Sequence, residues 1–284
     1  MEDRAVRGIQ TVIRYIESRL GGRLELETVA EAVHYSKYHL HRMFTETVGM
    51  TLHDYVQRRR LTEAAKLLAF SRRPISQIAL QCGYESQQSF SQAFKSMYKA
   101  PPAAYRAAGN FYPLQLPFTL RMERGREAFR KEEIRLAEER DIPAWMELMR
   151  LVIDGYPAMD EGAYLEQLRE SIRAGHALVL GEGDTLAGAL AFSTGPGRIE
   201  FLGVHPQYRR RGLQRLFLDV LTETRLPDQE ISTTTYRERD RADTGHRALL
   251  LELGFAQREL LTEFGSPTQR LVLLPRGEEG RDDR

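Results

Sequence analysis

The chain has 284 residues, 42% hydrophobic and 29% charged, with 41 Lys+Arg against 40 Asp+Glu. That is ordinary for a globular protein of one large or two ordinary domains. A single cysteine, Cys82, excludes an intramolecular disulfide and a cysteine-ligated zinc centre. The balanced total hides an asymmetry. Residues 1–108 hold 16 Lys+Arg against 10 Asp+Glu, and residues 109–284 hold 25 against 30. Two domains are expected, with any polyanionic partner on the first. The N-terminus shows no basic and apolar signal regions, and no apolar run approaches the ~18 residues of a membrane span. The reading is a cytoplasmic protein with no membrane contact.

Along residues 1–108 the apolar spacing is helical. Val6, Ile9, Ile13, Ile16 and Leu20 repeat at three and four and predict a first helix, which Gly21-Gly22 stops. A short helix with Leu26, Val29, Ala30 and Val33 inward follows. Next comes Ser36-Lys37-Tyr38-His39-Leu40-His41-Arg42-Met43-Phe44, closed near Gly49. Two helices joined by a tight Tyr35-Ser36 turn predict a helix-turn-helix. Residues 51–69 predict a longer helix carrying Arg58-Arg59-Arg60. Pro74 then opens a helix with Ile75, Ile78, Ala79 and Leu80. Gly83 ends it, and Ser86-Gln87-Gln88-Ser89-Phe90-Ser91-Gln92-Ala93-Phe94-Lys95 repeats the earlier pattern. Pro101-Pro102 stops that last helix. Cys82 reads as core packing.

Each repeat begins with a Ser able to cap a helix. Each sets an apolar stripe (Leu40, Met43, Phe44; Phe90, Ala93, Phe94) against a hydrogen-bonding stripe. The polar stripes hold Tyr38, His41 and Arg42, then Gln87, Gln88, Ser89, Ser91 and Gln92. Arg suits guanine, Gln suits adenine, and Ser suits either. Arg42 reads a base or positions the protein on phosphate; Tyr38 faces DNA or is a half-buried surface aromatic. A connecting helix of ~19 residues spans roughly 28 Å, near the ~34 Å between successive major-groove faces. One chain is therefore expected to read a two-part, non-palindromic site on double-stranded DNA.

Residues 5–108 resemble the DNA-binding module of the AraC/XylS family of transcription regulators, and in particular the MarA/SoxS/Rob activators. The resemblance rests on Tyr35 to Phe44, Arg60-Leu61, Ile78-Ala79, Gly83-Tyr84-Glu85-Ser86-Gln87-Gln88, Phe90, Phe94, and Pro102 to Tyr105-Arg106. It implies that Tyr38, His41 and Arg42, and Gln87, Gln88, Ser89, Ser91 and Gln92, face DNA, with RNA polymerase as a further partner. His41 stands where those activators carry Gln, and Gln92 where they carry Arg, so the second half-site should be held more weakly. The resemblance also makes Arg60 structural, in an internal ion pair, while Arg58 and Arg59 are left solvated or on phosphate.

Gly109-Asn110, Pro113 and Pro117 mark a boundary, and residues 109–132 read as a linker. Phe118 to Glu123 suggests a short strand, and Arg124 to Lys131 a charged link. From residue 133 to 275 strands and helices alternate. Ile134–Ala137 is a strand. Asp141 caps a helix with Trp145, Leu148, Met149 and Val152, and Tyr164, Leu165, Leu168 and Ile172 mark a second. Strands at 177–180 and 186–192 flank a Gly181–Asp184 turn. Gly195-Pro196-Gly197 leads into a strand at Ile199–Val204. A helix runs from about Gly212 to Thr224, followed by a strand at 231–236, a helix at 248–253, and closing strands at 259–261 and 271–274. Residues 276–284 read as a disordered tail. The fold class is multidomain: an all-α tandem helix-turn-helix followed by an α/β mixed-sheet domain.

Within it, Ile199 to Val204 runs through His205-Pro206-Gln207-Tyr208-Arg209-Arg210-Arg211-Gly212-Leu213-Gln214 directly into a helix. Backbone N–H groups and the dipole at such a helix start bind phosphates. The segment resembles the acetyl-CoA motif of the GNAT (GCN5-related N-acetyltransferase) family, with Leu253-Gly254-Phe255 as further support. The resemblance implies an acyl-CoA ligand: Arg209, Arg210, Arg211, Gly212 and Gln214 around the pyrophosphate, and Val204 on the pantetheine. Gln214 replaces a small residue, Leu250 stands where many such enzymes place a general-acid Tyr, and Asp243 stands near a common Asn. Glu200 is a candidate general base or an exposed strand residue. Tyr236 is a weaker proton donor. His205 and His246 lack metal-ligand spacing and read as surface, with no metal expected. Three functions follow: a regulator whose second domain senses acetyl-CoA or another acyl-CoA or small-molecule effector; an N-acetyltransferase tethered to DNA; or a dimerisation or polymerase-contact module. The oligomeric state is not legible.

Overall fold

A computed structural model describes residues 2–120, 128–152, 160–182, 185–263 and 266–275. The chain divides into two compact units. Among the described residues, the first holds 2–120 and the second the remainder. The expected tail at 276–284, and the parts of the expected linker, strand and turn at 121–127 and 183–184, lie outside them.

The first unit is helical: α1 Glu2–Glu17, α2 Leu26–Ala32, α3 Lys37–Val48, α4 Leu52–Phe70, α5 Ile75–Gln81, α6 Gln87–Tyr98 and α7 Pro102–Ala108. Its core is the expected stripes. Ile9, Ile13, Ile16, Val29, Leu40, Phe44, Phe90 and Phe94 are buried, and so is Cys82. Burial pushes the Cys82 thiol up to about 12, so it stays protonated at neutral pH and packs as an apolar residue. Leu80 is 62% exposed: the seven-residue α5 buries only Ile78 and Ala79. The helix α7 follows the Pro101-Pro102 stop that sequence spacing marked only as an end. Its N-cap is Pro101, with Pro at the first helical position, where the missing N–H costs nothing.

The stretch after α7 is not a free linker. Leu114, Gln115, Phe118 and Leu120 are buried. Residues 111–120 form no strand, which corrects the strand expected from Phe118. Their backbone polar groups are met by side chains instead. Arg59 Nη1 donates to the Gln115 carbonyl at 3.0 Å, the Gln115 amide donates to Thr62 Oγ1 at 3.0 Å, and Gln10 Nε2 donates to the Leu120 carbonyl at 2.6 Å.

That strap explains a second correction. Arg58 and Arg59, expected in solvent or on phosphate, are 2% and 4% exposed. The internal ion pair belongs to Arg59, which reaches Glu17 at 2.7 Å and Glu63 at 3.1 Å. Burial alone works against its charge, and the Glu17 carboxylate more than offsets this, so its pKa is raised. Arg60 donates instead to the carbonyls of Leu20 and Gly22, satisfying the end of the chain after α1.

The second unit is a seven-stranded sheet in the order β1-β2-β3-β4-β5-β7-β6. The strands are β1 Arg135–Leu136, β2 Ala177–Glu182, β3 Thr185–Thr194, β4 Gly197–Val204, β5 Ile231–Tyr236, β6 Ala256–Glu263 and β7 Ser266–Leu273. All neighbours are antiparallel except β4 and β5, which are parallel. Helices α8 Ile142–Val152 and α9 Glu161–Arg173 precede β2, α10 Leu213–Val220 follows β4, and α11 His246–Glu252 follows β5. Asp141 does not simply cap α8. Its buried carboxylate takes both guanidinium nitrogens of Arg135 at 2.7 Å and the Glu138 amide at 2.8 Å.

One irregularity organises this sheet. Ala191 pairs with Phe201 but Phe192 with Ile199, so Glu200 is the extra residue of a β-bulge. A bulge breaks the two-residue alternation. Ile199 and Val204 therefore join the core with Leu213, Phe217 and Leu250 of α10 and α11. Phe201 packs instead on Trp145 of α8, ring centres 5.6 Å apart.

Candidate functional site

In the first unit, α3 and α6 are built alike. Each has 12 residues. Ser36 Oγ accepts from the His39 amide and Ser86 Oγ from the Ser89 amide. Each ends on a residue with left-handed backbone, Gly49 at φ 78° and Lys99 at φ 59°. Such a cap at both ends fixes where the helix starts and stops.

With the apolar stripes buried, the polar stripes face outward. Tyr38, His41 and Arg42 are exposed, Tyr38 at 85%. Their spacing of three and four puts them on one face of α3. On α6, Gln87, Gln88, Ser89 and Gln92 are exposed and Ser91 is half-buried. Gln88, Gln92 and Lys95 share one stripe by the same spacing. Ser89 differs from the other expected readers. Its hydroxyl donates to the Ser86 carbonyl at 2.9 Å, so its donor is used at the helix start. At the N-terminal end of α3, Lys37 pairs with Glu27.

In the second unit, the residues of the basic turn converge where β4 leaves the sheet. The parallel pairing of β4 and β5 is confined to Arg198 opposite Ser232, at the start of both strands. Two hydroxyls add to that end: Ser232 Oγ donates to the Gly197 carbonyl and Thr233 Oγ1 to the Ile199 carbonyl, both at 3.2 Å. Past this seam the two strands have no ladder partners in each other. Their C-terminal ends thus carry no ladder bonds to each other, which is the arrangement that in open sheets with parallel strands forms a ligand crevice.

Two glycines cap the helices that follow these strands. Gly212 caps α10 at φ 71° and Gly245 caps α11 at φ 99°. A Cβ on either would meet nothing within 4 Å, so the main chain there is open to approach. Arg210 is exposed, Arg209 and Arg211 are half-buried, and Val204 is buried. Gln214, expected to crowd a pyrophosphate, is 7% exposed. The turn is therefore rimmed by glycine and arginine rather than by the Gln214 amide.

Glu200 lies on the bulge and is exposed. It accepts from Ser193 Oγ at 3.1 Å and lies 3.4 Å from Arg198 Nε. Arg198 also reaches Glu263 at 3.2 Å. This Ser193–Glu200–Arg198–Glu263 chain was not visible in the sequence, because a bulge brings its members together. Tyr236 is buried. His205, expected at the surface, is buried too, its Nδ1 accepting from the Gln207 amide at 3.3 Å. Leu250 is buried in the core. Among the described residues no group of three His, Cys, Asp or Glu side chains is placed to hold a metal ion, and no helix is long and apolar enough to cross a membrane.

Comparison with known proteins falls along the same division. Residues 29–108 match a family model described as a helix-turn-helix domain, and residues 145–255 one described as the acetyltransferase (GNAT) family. The multiple antibiotic resistance protein MarA of Escherichia coli (strain K12) is 41% identical over 98 residues, 34% of this chain and 77% of MarA. The transcriptional regulator Rob of Salmonella typhimurium is 39% identical over 103 residues, 36% of each chain. The uncharacterised HTH-type regulator YbfP of Bacillus subtilis is 40% identical over 100 residues, so the chain spans about a third of YbfP and Rob, 34% and 36% respectively. Among solved structures, an AraC-type regulator from Chromobacterium violaceum is 26% identical with a TM-score of 0.35, covering 36% of this chain and 92% of its own. A GNAT-family acetyltransferase from Bacillus cereus ATCC 10987 is 18% identical with a TM-score of 0.40, covering 50% of this chain and 96% of its own. The chain belongs to the AraC-type helix-turn-helix transcription regulators, DNA-binding proteins, and joins that module to a domain of the acetyltransferase (GNAT) family.

Proposed function

We propose that the chain is a sequence-specific regulator that lays α3 and α6 in adjacent major grooves, with acyl-CoA held in the β4–β5 crevice of its second unit as effector. The observation that carries the first part is the pair of equally capped helices with outward polar stripes, joined through the 19-residue α4. Arg42 donates in bidentate fashion to guanine, and His41, Gln88 and Gln92 contact base edges beside it. Tyr38 packs on the groove wall. RNA polymerase is the partner of such a regulator on DNA, and the cytoplasm its compartment.

For the second part, the crevice fits the pyrophosphate of acyl-CoA on two grounds: its main chain is open at Gly212, and cationic side chains rim the turn. Arg209, Arg210 and Arg211 neutralise the phosphates, the α10 amides bind them, and Val204 borders the pantetheine. Bound there, acyl-CoA supplies an activated thioester. A second reading, N-acetyltransferase, is favoured by the bulge that carries Glu200 out of the strand alternation. Glu200 would take the proton of an amine as it attacks, with Ser193 and Arg198 orienting the carboxylate. As the amine's C–N bond forms and the thioester C–S bond breaks, the CoA thiolate leaves, and the buried Leu250 offers it no proton, which favours the effector.

Melting of the full chain with and without acetyl-CoA tests the ligand. Binding to the native state alone raises the transition by ~2.7 kcal/mol equivalent at one hundred times Kd; an unmoved transition overturns the reading. Thiol release in the presence of candidate amines then separates enzyme from sensor.

A further inference from the structure

At the C-terminal end of β5 lies a buried cation that the phosphate motif does not account for. Arg247, in the first turn of α11, is 5% exposed. Its Nη1 donates to the Tyr236 carbonyl, the last residue of β5, at 3.1 Å. Its Nη2 is buried with no hydrogen-bond partner, and among the described residues no carboxylate pairs with it. The nearest acid in sequence, Asp243, is used otherwise: Oδ1 accepts the amides of Gly245 and Arg247 itself.

A buried guanidinium lacking a counter-charge is costly, because its hydration is lost with no ion pair to offset it. Arg59, buried in the middle of α4, shows the usual remedy: two carboxylates and a carbonyl. Arg247 has one carbonyl. The planar guanidinium fork prefers the paired oxygens of a carboxylate or phosphate to any neutral acceptor. It sits one helical turn before Leu250 and beside Gly245, whose Cβ position is open space.

We infer that Arg247 receives an oxyanion of the ligand held between the ends of β4 and β5, so that the crevice selects an anionic group beyond the pyrophosphate. The oxyanion is a carboxylate on the acyl chain or a further phosphate of the CoA. This rests on the acyl-CoA reading of the crevice, and the test separates the two.

The full chain, Arg247→Met and Arg247→Lys are titrated calorimetrically with CoA, acetyl-CoA and succinyl-CoA. The expected result is at least a tenfold loss of affinity in Arg247→Met, part of it restored in Arg247→Lys. A loss confined to succinyl-CoA assigns the acyl carboxylate; an equal loss for all three assigns a CoA phosphate. Equal affinities of parent and variants for all three ligands overturn the inference. A parent that binds none of them contradicts the acyl-CoA reading instead. Melting with inorganic phosphate then decides Arg247 alone: a rise in the parent that Arg247→Lys shows at less than half supports the anion site, and equal rises overturn it. Arg247→Lys also serves where Arg247→Met does not fold.

Discussion

The two reading helices share a scaffold and differ in charge. In α3 and α6 the length, the serine cap and the left-handed ending are the same. Yet α3 carries Lys37, Arg42, two histidines and Glu46, and α6 carries Lys95 alone. Caps and buried stripes fix how a helix is presented; the outward stripe sets how tightly it holds a polyanion. Most non-specific affinity comes from neutralising phosphates, so in the proposed complex α3 holds its half-site the more firmly, and α6 depends on the neutral Gln88 and Gln92 amides.

The comparison breaks most drastically at what the two helices have in common. Arg59→Met leaves the Glu17 carboxylate with the Tyr55 hydroxyl but no cation, and the Gln115 carbonyl without its donor, and should cost roughly 3–5 kcal/mol of the first unit's stability. Urea unfolding would show it, and both half-sites should be lost together. Next in size, Arg42→Ala should cost about 1–3 kcal/mol on the specific site and relax base choice there. Equal loss on all sequences would make Arg42 a phosphate contact. Ser36→Ala and Ser86→Ala should each cost ~1 kcal/mol of stability. Their near-equality is the sharp point, since a twofold difference would show the two scaffolds to be unequal. The smallest effect is a gain: Gln92→Arg adds a cation to α6 and should steepen the slope of log affinity against log salt by about 1. An unchanged slope would place residue 92 away from the phosphates.

Much of this arrangement was legible in the residues because it is local. Ser36 and Ser86 announce helix starts, and the spacing of Leu40, Met43 and Phe44 announces which side is buried. The alternation of strands and helices after residue 133 likewise follows from short-range pattern. What sequence spacing missed depends on distant partners. Arg58 and Arg59 looked like surface or phosphate-contacting cations, since nothing local signals that residues 111–120 return across α4 to bury them. The bond from the Ser89 hydroxyl back to the Ser86 carbonyl is likewise not announced by the spacing of the polar stripe. The bulge at Glu200 arises from register with β3, and no alternation in β4 alone could reveal it.

Selection of DNA bound by the full chain from a random pool tests the central claim most directly. The account predicts two dissimilar blocks, centred about 10 base pairs apart, occupied by one chain, with the block under α3 the more sharply defined. A single block, or a palindrome bound by two chains, would contradict it.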